Sequence, residues 1–155
     1  MKKIVFVCTG NTCRSPMAEG LFKHLISKKD NLKNKYDALS AGLFAYEGQR
    51  VNDYSIRALK NLGIDISNYT SLSFSREIAK SAFLILTMTE SHRDNIISLI
   101  PDARGKVFAL KEYVYKNTVN QSVEIEDPFG MPYEAYEKCS QEIKHAVEEL
   151  IKKID

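Results

Sequence analysis

An apolar run that ends in a cysteine is the feature that most constrains the fold of this chain. Residues 4–7 read Ile-Val-Phe-Val, and Cys8 follows directly. An unbroken run of this kind is typical of a parallel strand buried on both faces, so we predict strand 1 at about residues 3–8. A short loop follows. Ser15 is then predicted to cap a helix and Pro16 to be its first residue, because both residue types are favoured at those positions.

Predicted strands and helices alternate along the rest of the chain. We predict helices at about 15–29, 53–62 (closed by Gly63), 75–80, 90–100 and 133–153, and further strands at about 36–41, 82–86 and 106–109. A loop of about twenty residues before the last helix carries Asp127-Pro128-Phe129-Gly130. The alternation predicts an α/β fold with a four-stranded parallel sheet and helices on both faces. We expect strand 1 to be central and the strand order to be 2-1-3-4. Strands 1 and 3 then flank the switch point where ligands bind, which is where the cysteine loop lies.

The composition limits the compartment and the partners. The 155 residues suit one domain over 1–155, and 44% hydrophobic with 27% charged residues is an ordinary globular composition. A net charge of +2 without a Lys/Arg run argues against nucleic acid, and the apolar runs are too short for a membrane span. The odd set of three cysteines, Cys8, Cys13 and Cys139, favours a reducing cytoplasm. The three histidines lack metal-ligand spacing with the cysteines, so we expect no zinc site.

The loop after strand 1 has the residue types of a phosphate-binding cradle. A loop that enters a helix N-terminus directs several backbone N–H groups at one point, and the helix dipole adds positive potential there. Gly10 is expected to allow an unusual backbone conformation, and Asn11 tolerates left-handed geometry. The same field favours the thiolate form of Cys8, which the Ser15 hydroxyl would also stabilise. Arg14, six residues after the cysteine, offers a planar fork that matches phosphate oxygens.

Phosphoryl transfer from a phenol or a guanidine also requires an acid to protonate the leaving group. Asp127 is the best candidate, because it precedes a proline in the long loop after the last strand, at the same sheet edge as Cys8. An isolated Asp-Pro is more often a simple turn. The alternative for Cys8 is that it is a small buried apolar residue.

The assembly resembles the low-molecular-weight protein tyrosine phosphatases. The resemblance rests on the segment from Val7 to Glu19, on Ser40-Ala41-Gly42 and on Asp127-Pro128-Phe129. It implies that Cys8 is the nucleophile, that Arg14 binds the phosphate, and that Asp127 is the general acid and then the base that activates water. It also implies that the reaction needs no metal or other cofactor. The implied phosphate-binding loop consists of Thr9, Gly10, Asn11, Thr12, Cys13, Arg14 and Ser15.

With a threonine at position 12, the loop resembles that of the bacterial protein arginine phosphatase branch. Tyrosine-directed members of the family commonly have Ile or Leu at this position. Phosphoarginine in proteins or peptides is therefore the favoured substrate, with phosphotyrosine as the alternative. Phe44 and Phe129 are expected at the lips of the pocket, where either could stack on a guanidinium or a phenol, although both could instead pack in the core. Cys13 is expected to form a protective disulfide with Cys8, or else to be an inert buried thiol.

Three other functions remain open. Arsenate reductases share this loop but also need a downstream cysteine pair, and the sequence has no cysteine between Cys13 and Cys139. A sugar-uptake phosphocarrier also places a cysteine after strand 1, but it would not need Arg14 or Asp127. A phosphate-binding module would bind the anion without turnover.

Overall fold

The structure is a computed structural model that describes residues 1–116 and 122–155. The strands are β1 (Lys2–Cys8), β2 (Tyr36–Gly42), β3 (Leu84–Thr87) and β4 (Val107–Ala109). The helices are α1 (Arg14–Ile26), α2 (Asp53–Lys60), α3 (Arg76–Ser81), α4 (Glu90–Leu99), α5 (Leu110–Val114) and α6 (Tyr133–Ile154), and a 3-10 turn spans Pro101–Lys106.

The sheet confirms the predicted α/β architecture. Its four strands are parallel and lie in the order β2-β1-β3-β4. Cys8 at the end of β1 pairs with Gly42 at the end of β2, and Val7 pairs with Thr87 at the end of β3. The carboxyl ends of these strands therefore meet at one edge, where the loop after β1 begins.

The central strand β1 is buried on both faces, as its unbroken apolar run predicts. Ile4 and Phe6 belong to a large cluster that is completed by α1, α2 and α6. Val5 and Val7 belong to a second cluster on the opposite face, with α3 and α4. Side chains alternate between the faces of a strand, so β1 joins the two cores and holds Cys8 firmly at its end.

The start of α1 differs from the prediction. The helix begins at Arg14 and is preceded by Cys13, which makes no side-chain capping bond, so the prediction of Ser15 as the cap was wrong. Ser15 and Pro16 instead occupy the second and third helical positions, and the Ser15 hydroxyl contacts Cys8. The helix also ends at Ile26 rather than Lys29, because the chain turns to bury Leu32 in the core.

Other boundaries shift for local reasons. β3 begins at Leu84 rather than at Ala82, because the Ala82 N–H bonds to the Ile78 carbonyl and closes α3. The helix α2 ends at Lys60, and Gly63 ends the following turn with a φ of 81°. That turn is closed by a bond from the Ile64 N–H to the Leu59 carbonyl.

The long loop before the last helix is shorter than predicted. It is interrupted by α5, whose first turn is closed by a bond from the Ala109 N–H to the Glu112 carboxylate. Residues 117–121 of the predicted loop lie outside the described part of the chain. Among the described residues, no helix has the length and apolar character needed to cross a membrane.

Candidate active site

The loop between β1 and α1 is anchored by the chain segment that follows β2. The carbonyls of Cys8 and Thr9 accept bonds from the N–H groups of Leu43 and Phe44, at 3.0 and 2.9 Å. Further on, the carbonyl of Thr12 accepts a 2.8 Å bond from the N–H of Asn52. These three bonds pair the loop carbonyls with neighbouring backbone, so the loop is fixed before any ligand arrives.

Asn11 shapes the loop from within. Its φ of 57° places it in the left-handed region, as predicted, and its side chain is almost fully buried. The amide nitrogen donates to the hydroxyls of Ser15 (2.7 Å) and Ser40 (2.9 Å), and the amide oxygen accepts from the Leu72 N–H (2.8 Å). Asparagine is one of the few residues that tolerates this backbone, and the three bonds hold it there.

Gly10 does not have the backbone role expected of it. Its φ is not positive, and a Cβ at this position would meet only the Thr12 hydroxyl at 3.7 Å. The glycine that the loop requires is Gly42, at the end of β2. A Cβ there would lie 2.6 Å from the Thr9 carbonyl oxygen and 3.0 Å from the Asn11 nitrogen, so only glycine permits this close approach.

The Cys8 thiol lies within reach of two polar groups of the loop. The Ser15 hydroxyl oxygen is 2.9 Å from the sulfur, and the Asn11 backbone N–H donates to the sulfur over 3.3 Å. Cys8 and Ser15 are both almost completely buried. Donors of this kind stabilise a thiolate more than a thiol.

Arg14 and Asp127 lie next to each other at the pocket. Nη1 of Arg14 donates to the Ile125 carbonyl at 2.9 Å, and Nη2 lies 3.6 Å from the Asp127 carboxylate. The Ile125 N–H in turn bonds to the Met88 carbonyl just after β3, which fixes the acid-bearing segment to the sheet. The buried Nε of Arg14 has no hydrogen-bond partner among the described residues.

Asp127 also forms the turn that its sequence suggests. Its carboxylate accepts a 3.1 Å bond from the Phe129 N–H, and its side chain is about half exposed. Asp127 therefore closes this turn and also contacts Arg14.

These groups surround a pocket of about 210 Å³. Its walls consist of Cys8, Thr9, Gly10, Thr12, Cys13, Arg14, Asp127 and Phe129. The Phe129 ring is 70% exposed and Phe44 is 74% exposed, so neither packs in the core. Among the described residues the wall includes Phe129 but not Phe44.

Two aromatic residues outside the motif also contact the loop. The Nε2 atom of His92, on α4, lies 2.9 Å from the Thr9 hydroxyl. The Tyr136 hydroxyl of α6 lies 3.9 Å from the Cys13 sulfur. Burial raises the pKa of the Cys13 thiol, which favours its neutral form. Sequence reasoning overlooked His92, and the only available signal was its position just after a strand that ends at the ligand edge.

Comparison with known proteins identifies the family. The profile described as "Low molecular weight phosphotyrosine protein phosphatase" matches residues 3–155. The chain belongs to this family.

Relatives within the family have different activities at similar identity. A protein-arginine-phosphatase of Bacillus subtilis is 38% identical over 97% of this chain and 95% of its own length. The low molecular weight protein-tyrosine-phosphatase PtpB of Staphylococcus epidermidis is 35% identical over 96% of both chains. An arsenate reductase of Staphylococcus aureus is 33% identical over 95% of this chain and 94% of its own. Identity therefore establishes a phosphatase-fold enzyme family and leaves the substrate open.

Solved structures of family members superpose closely. The YwlE arginine phosphatase from Geobacillus stearothermophilus has a TM-score of 0.88 at 34% identity, covering 99% of this chain and 93% of its own. A low molecular weight protein tyrosine phosphatase from T. tengcongensis has a TM-score of 0.87 at 40% identity, covering 99% of both chains. Related structures of Wzb proteins were solved in complex with benzylphosphonate and with sulphate, so family members bind oxyanions.

Proposed function

We propose that this protein is a cysteine-dependent protein phosphatase that hydrolyses phosphorylated side chains through a phosphocysteine intermediate. One observation carries the proposal. The Cys8 sulfur, which is hydrogen-bonded to the Ser15 hydroxyl and the Asn11 backbone N–H, lies in the same small pocket as Arg14 and Asp127. A nucleophile, an anion-binding cation and an acid within one pocket are the groups that phosphoryl transfer needs.

The first chemical step transfers the phosphoryl group to sulfur. The Cys8 thiolate attacks phosphorus while the bond from phosphorus to the leaving atom breaks, and Asp127 gives its proton to that atom. Arg14 neutralises charge on the phosphoryl oxygens, and its otherwise unpaired Nε–H is a further donor for them. The first product leaves with that proton, as an arginine guanidinium or a tyrosine phenol.

The second step returns the enzyme to its starting state. Asp127, now a carboxylate, takes a proton from a water molecule that attacks phosphorus. The sulfur–phosphorus bond breaks, and the Ser15 hydroxyl stabilises the departing thiolate. Inorganic phosphate is released, and Asp127 again carries the proton. Both steps use side chains of this chain, and we expect no metal or cofactor to take part.

The favoured substrate is phosphoarginine in proteins or peptides. Thr12 lies in the pocket wall and gives that wall a hydroxyl in place of a branched apolar side chain. A polar wall suits a guanidinium, whereas an apolar wall packs on a phenol ring. The exposed Phe129 ring suits either group, because a guanidinium and a phenol both stack on it. Two protein-arginine-phosphatases among the relatives, at 38% and 36% identity, support this choice.

Phosphotyrosine is the second candidate, since a tyrosine phosphatase relative is 35% identical. Arsenate reduction is disfavoured because the sequence lacks a cysteine between Cys13 and Cys139. Burial raises the pKa of Cys139 to about 12, which leaves its thiol inert. A phosphate-binding module without turnover is the remaining alternative. The set of three cysteines, all free in the structure, supports a cytoplasmic location.

The deciding experiment compares kcat/KM for matched phosphoarginine and phosphotyrosine peptides, with Thr12→Ile measured alongside. We expect wild-type protein to favour phosphoarginine and Thr12→Ile to shift the preference toward phosphotyrosine. A wild-type preference for phosphotyrosine that Thr12→Ile does not change would reject the arginine assignment. Release of phosphate from p-nitrophenyl phosphate that is lost in Cys8→Ser would exclude the binding module.

Cys13 is proposed as the redox partner of the nucleophile. Peroxide oxidises the Cys8 thiolate to a sulfenic acid, and the Cys13 thiol then displaces water to form a disulfide, which an added thiol reduces. We expect peroxide-treated wild-type protein to recover its activity with thiol and Cys13→Ala to recover much less. Equal recovery of the two proteins would show that Cys13 has no protective role.

A further inference from the structure

His92 is a buried polar side chain that the proposed steps do not use. It is the third residue of α4, and its backbone N–H donates to the Thr89 hydroxyl that caps this helix. Only 7% of its surface is exposed. A buried imidazole next to an anion site requires an explanation, because buried polar groups are normally paired.

The imidazole contacts the loop next to the nucleophile. Its Nε2 atom lies 2.9 Å from the hydroxyl oxygen of Thr9, which follows Cys8 directly and lines the pocket. Its Nδ1 atom is buried and has no hydrogen-bond partner among the described residues. Among the described residues, the Thr9 hydroxyl is therefore the hydrogen-bond partner of this imidazole.

The unpaired Nδ1 atom indicates which nitrogen carries the hydrogen. Burial, together with the positive charge of Arg14, lowers the pKa of His92 to about 4, and the Asp127 carboxylate opposes this only in part. The ring is therefore neutral near pH 7 and carries one N–H. Orphaned buried N–H donors are rarer than unsatisfied acceptors, so the hydrogen belongs on Nε2, where it is donated to the Thr9 oxygen.

This arrangement frees the hydrogen of the Thr9 hydroxyl. With its oxygen accepting from His92, the hydroxyl can donate in another direction. In the opposite tautomer the hydroxyl would donate to His92 and would present only lone pairs to the pocket. Lone pairs there would repel the phosphoryl oxygens that Arg14 attracts.

We propose that His92 is a positioning residue that orients the Thr9 hydroxyl as a hydrogen-bond donor to a phosphoryl oxygen bound in the pocket. The inference rests on the proposed function and adds a substrate contact to it. Thr9 then contacts the substrate directly, and His92 acts only through Thr9. Because the hydroxyl contacts the phosphoryl group, it serves phosphoarginine and phosphotyrosine alike.

The test measures the affinity for inorganic phosphate and kcat/KM for p-nitrophenyl phosphate in wild type, Thr9→Val, His92→Met and the double variant. Thr9→Val removes the proposed hydrogen bond to the charged phosphate, so we expect its affinity for inorganic phosphate to be about tenfold weaker. We expect His92→Met to show a similar loss and the double variant to be no worse than Thr9→Val alone. Thr9→Ser and His92→Gln are the matched controls, because each keeps a donor, and we expect them to recover most of the affinity.

Several outcomes separate this role from simple packing. Unchanged phosphate affinity in Thr9→Val, whose side chain is exposed and keeps its shape, would overturn the inference even if His92→Met fails to fold. Losses that multiply in the double variant, or equal losses in His92→Met and His92→Gln, would also overturn it. If wild-type protein binds phosphate but releases none from p-nitrophenyl phosphate, the proposed function fails, and the phosphate affinities still test the contact.

Discussion

The Ser15 hydroxyl and the Cys8 sulfur lie 2.9 Å apart, and their bond has a defined direction. The same hydroxyl oxygen accepts a 2.7 Å bond from the side-chain amide of Asn11, which can only donate. The single hydrogen of Ser15 is therefore free to point at the sulfur. Asn11 thus sets the polarity of the bond, and Ser15 donates to the thiolate both before attack and when the phosphocysteine is cleaved.

Ser15→Ala should therefore slow turnover more than it weakens binding. Removal of a hydrogen bond to a charged group typically corresponds to about 1.5–3 kcal/mol, so we expect kcat to fall at least about tenfold. The affinity for inorganic phosphate should change little, because Arg14 and the loop backbone remain. Steady-state kinetics and phosphate binding measured on the same preparation check this. An unchanged kcat would remove Ser15 from the mechanism.

Asn11 is expected to be a stability determinant as well as part of the site. Asn11→Ala loses three side-chain hydrogen bonds, two of them buried, and forces alanine into a φ of 57°. We expect it to lower the free energy of unfolding by about 3 kcal/mol or more. Asn11→Gly loses the same bonds but tolerates the backbone, so it should be about 1 kcal/mol more stable than alanine. Urea unfolding of both variants measures the difference. Equal stabilities would mean that the left-handed backbone is not strained.

The general architecture could be predicted from sequence because it depends on local patterns. The apolar run before Cys8 indicates a strand buried on both faces, and the alternation with helices indicates a parallel sheet, which the structure shows. The spacing from Cys8 to Arg14 and the Asp-Pro at 127 likewise identified groups that the fold brings to one pocket. Each of these motifs consists of residues that are close in sequence, although the pocket joins segments that are far apart.

The features that the sequence did not reveal depend on contacts between distant segments. Gly42 looks like an ordinary strand end until the Thr9 carbonyl is placed 2.6 Å from its missing Cβ. Ser15 looks like a helix cap because its residue type suits one, but the Cys8 sulfur competes for its hydroxyl. His92 reaches the loop only because β3 lies beside β1. No periodicity encodes such pairings.

Gly42→Ala tests whether the close approach of β2 supports the loop. The added Cβ would collide with backbone atoms of Thr9 and Asn11, which cannot move as a flexible side chain would. We expect a loss of about 1–3 kcal/mol in stability and a fall in kcat/KM for p-nitrophenyl phosphate. Gly105→Ala is the matched control, because a Cβ there meets nothing within 4 Å. A Gly42→Ala protein that matches this control in both measurements would contradict the proposed support.

Asp127→Asn should reveal the acid through its dependence on the leaving group. The amide keeps the size of the side chain but cannot donate the carboxylic proton, so substrates with basic leaving groups should lose the most rate. We expect aryl phosphates of rising phenol pKa to be hydrolysed progressively more slowly by the variant, and p-nitrophenyl phosphate to be affected least. A series of such esters measured as kcat/KM checks this. A uniform loss across the series would assign Asp127 a purely structural or electrostatic role.

The buried His92 should make the folded protein less stable as the pH falls. Burial and Arg14 lower its pKa from 6.5 to about 4 in the folded state, while the unfolded chain keeps the ordinary value. Above pH 6.5 both states are neutral at this residue and it exerts no pH effect. Between pH 6.5 and 4 the unfolded state takes up the proton first, so the free energy of unfolding should decline by up to about 3 kcal/mol over that window.

Urea unfolding at pH 7, 6, 5 and 4.5 measures how the free energy of unfolding depends on pH. The His92→Gln variant, whose side chain cannot titrate, should show a correspondingly flatter dependence. Parallel slopes in the two proteins would show that His92 is not held neutral by the fold, because all other titrating groups are common to both.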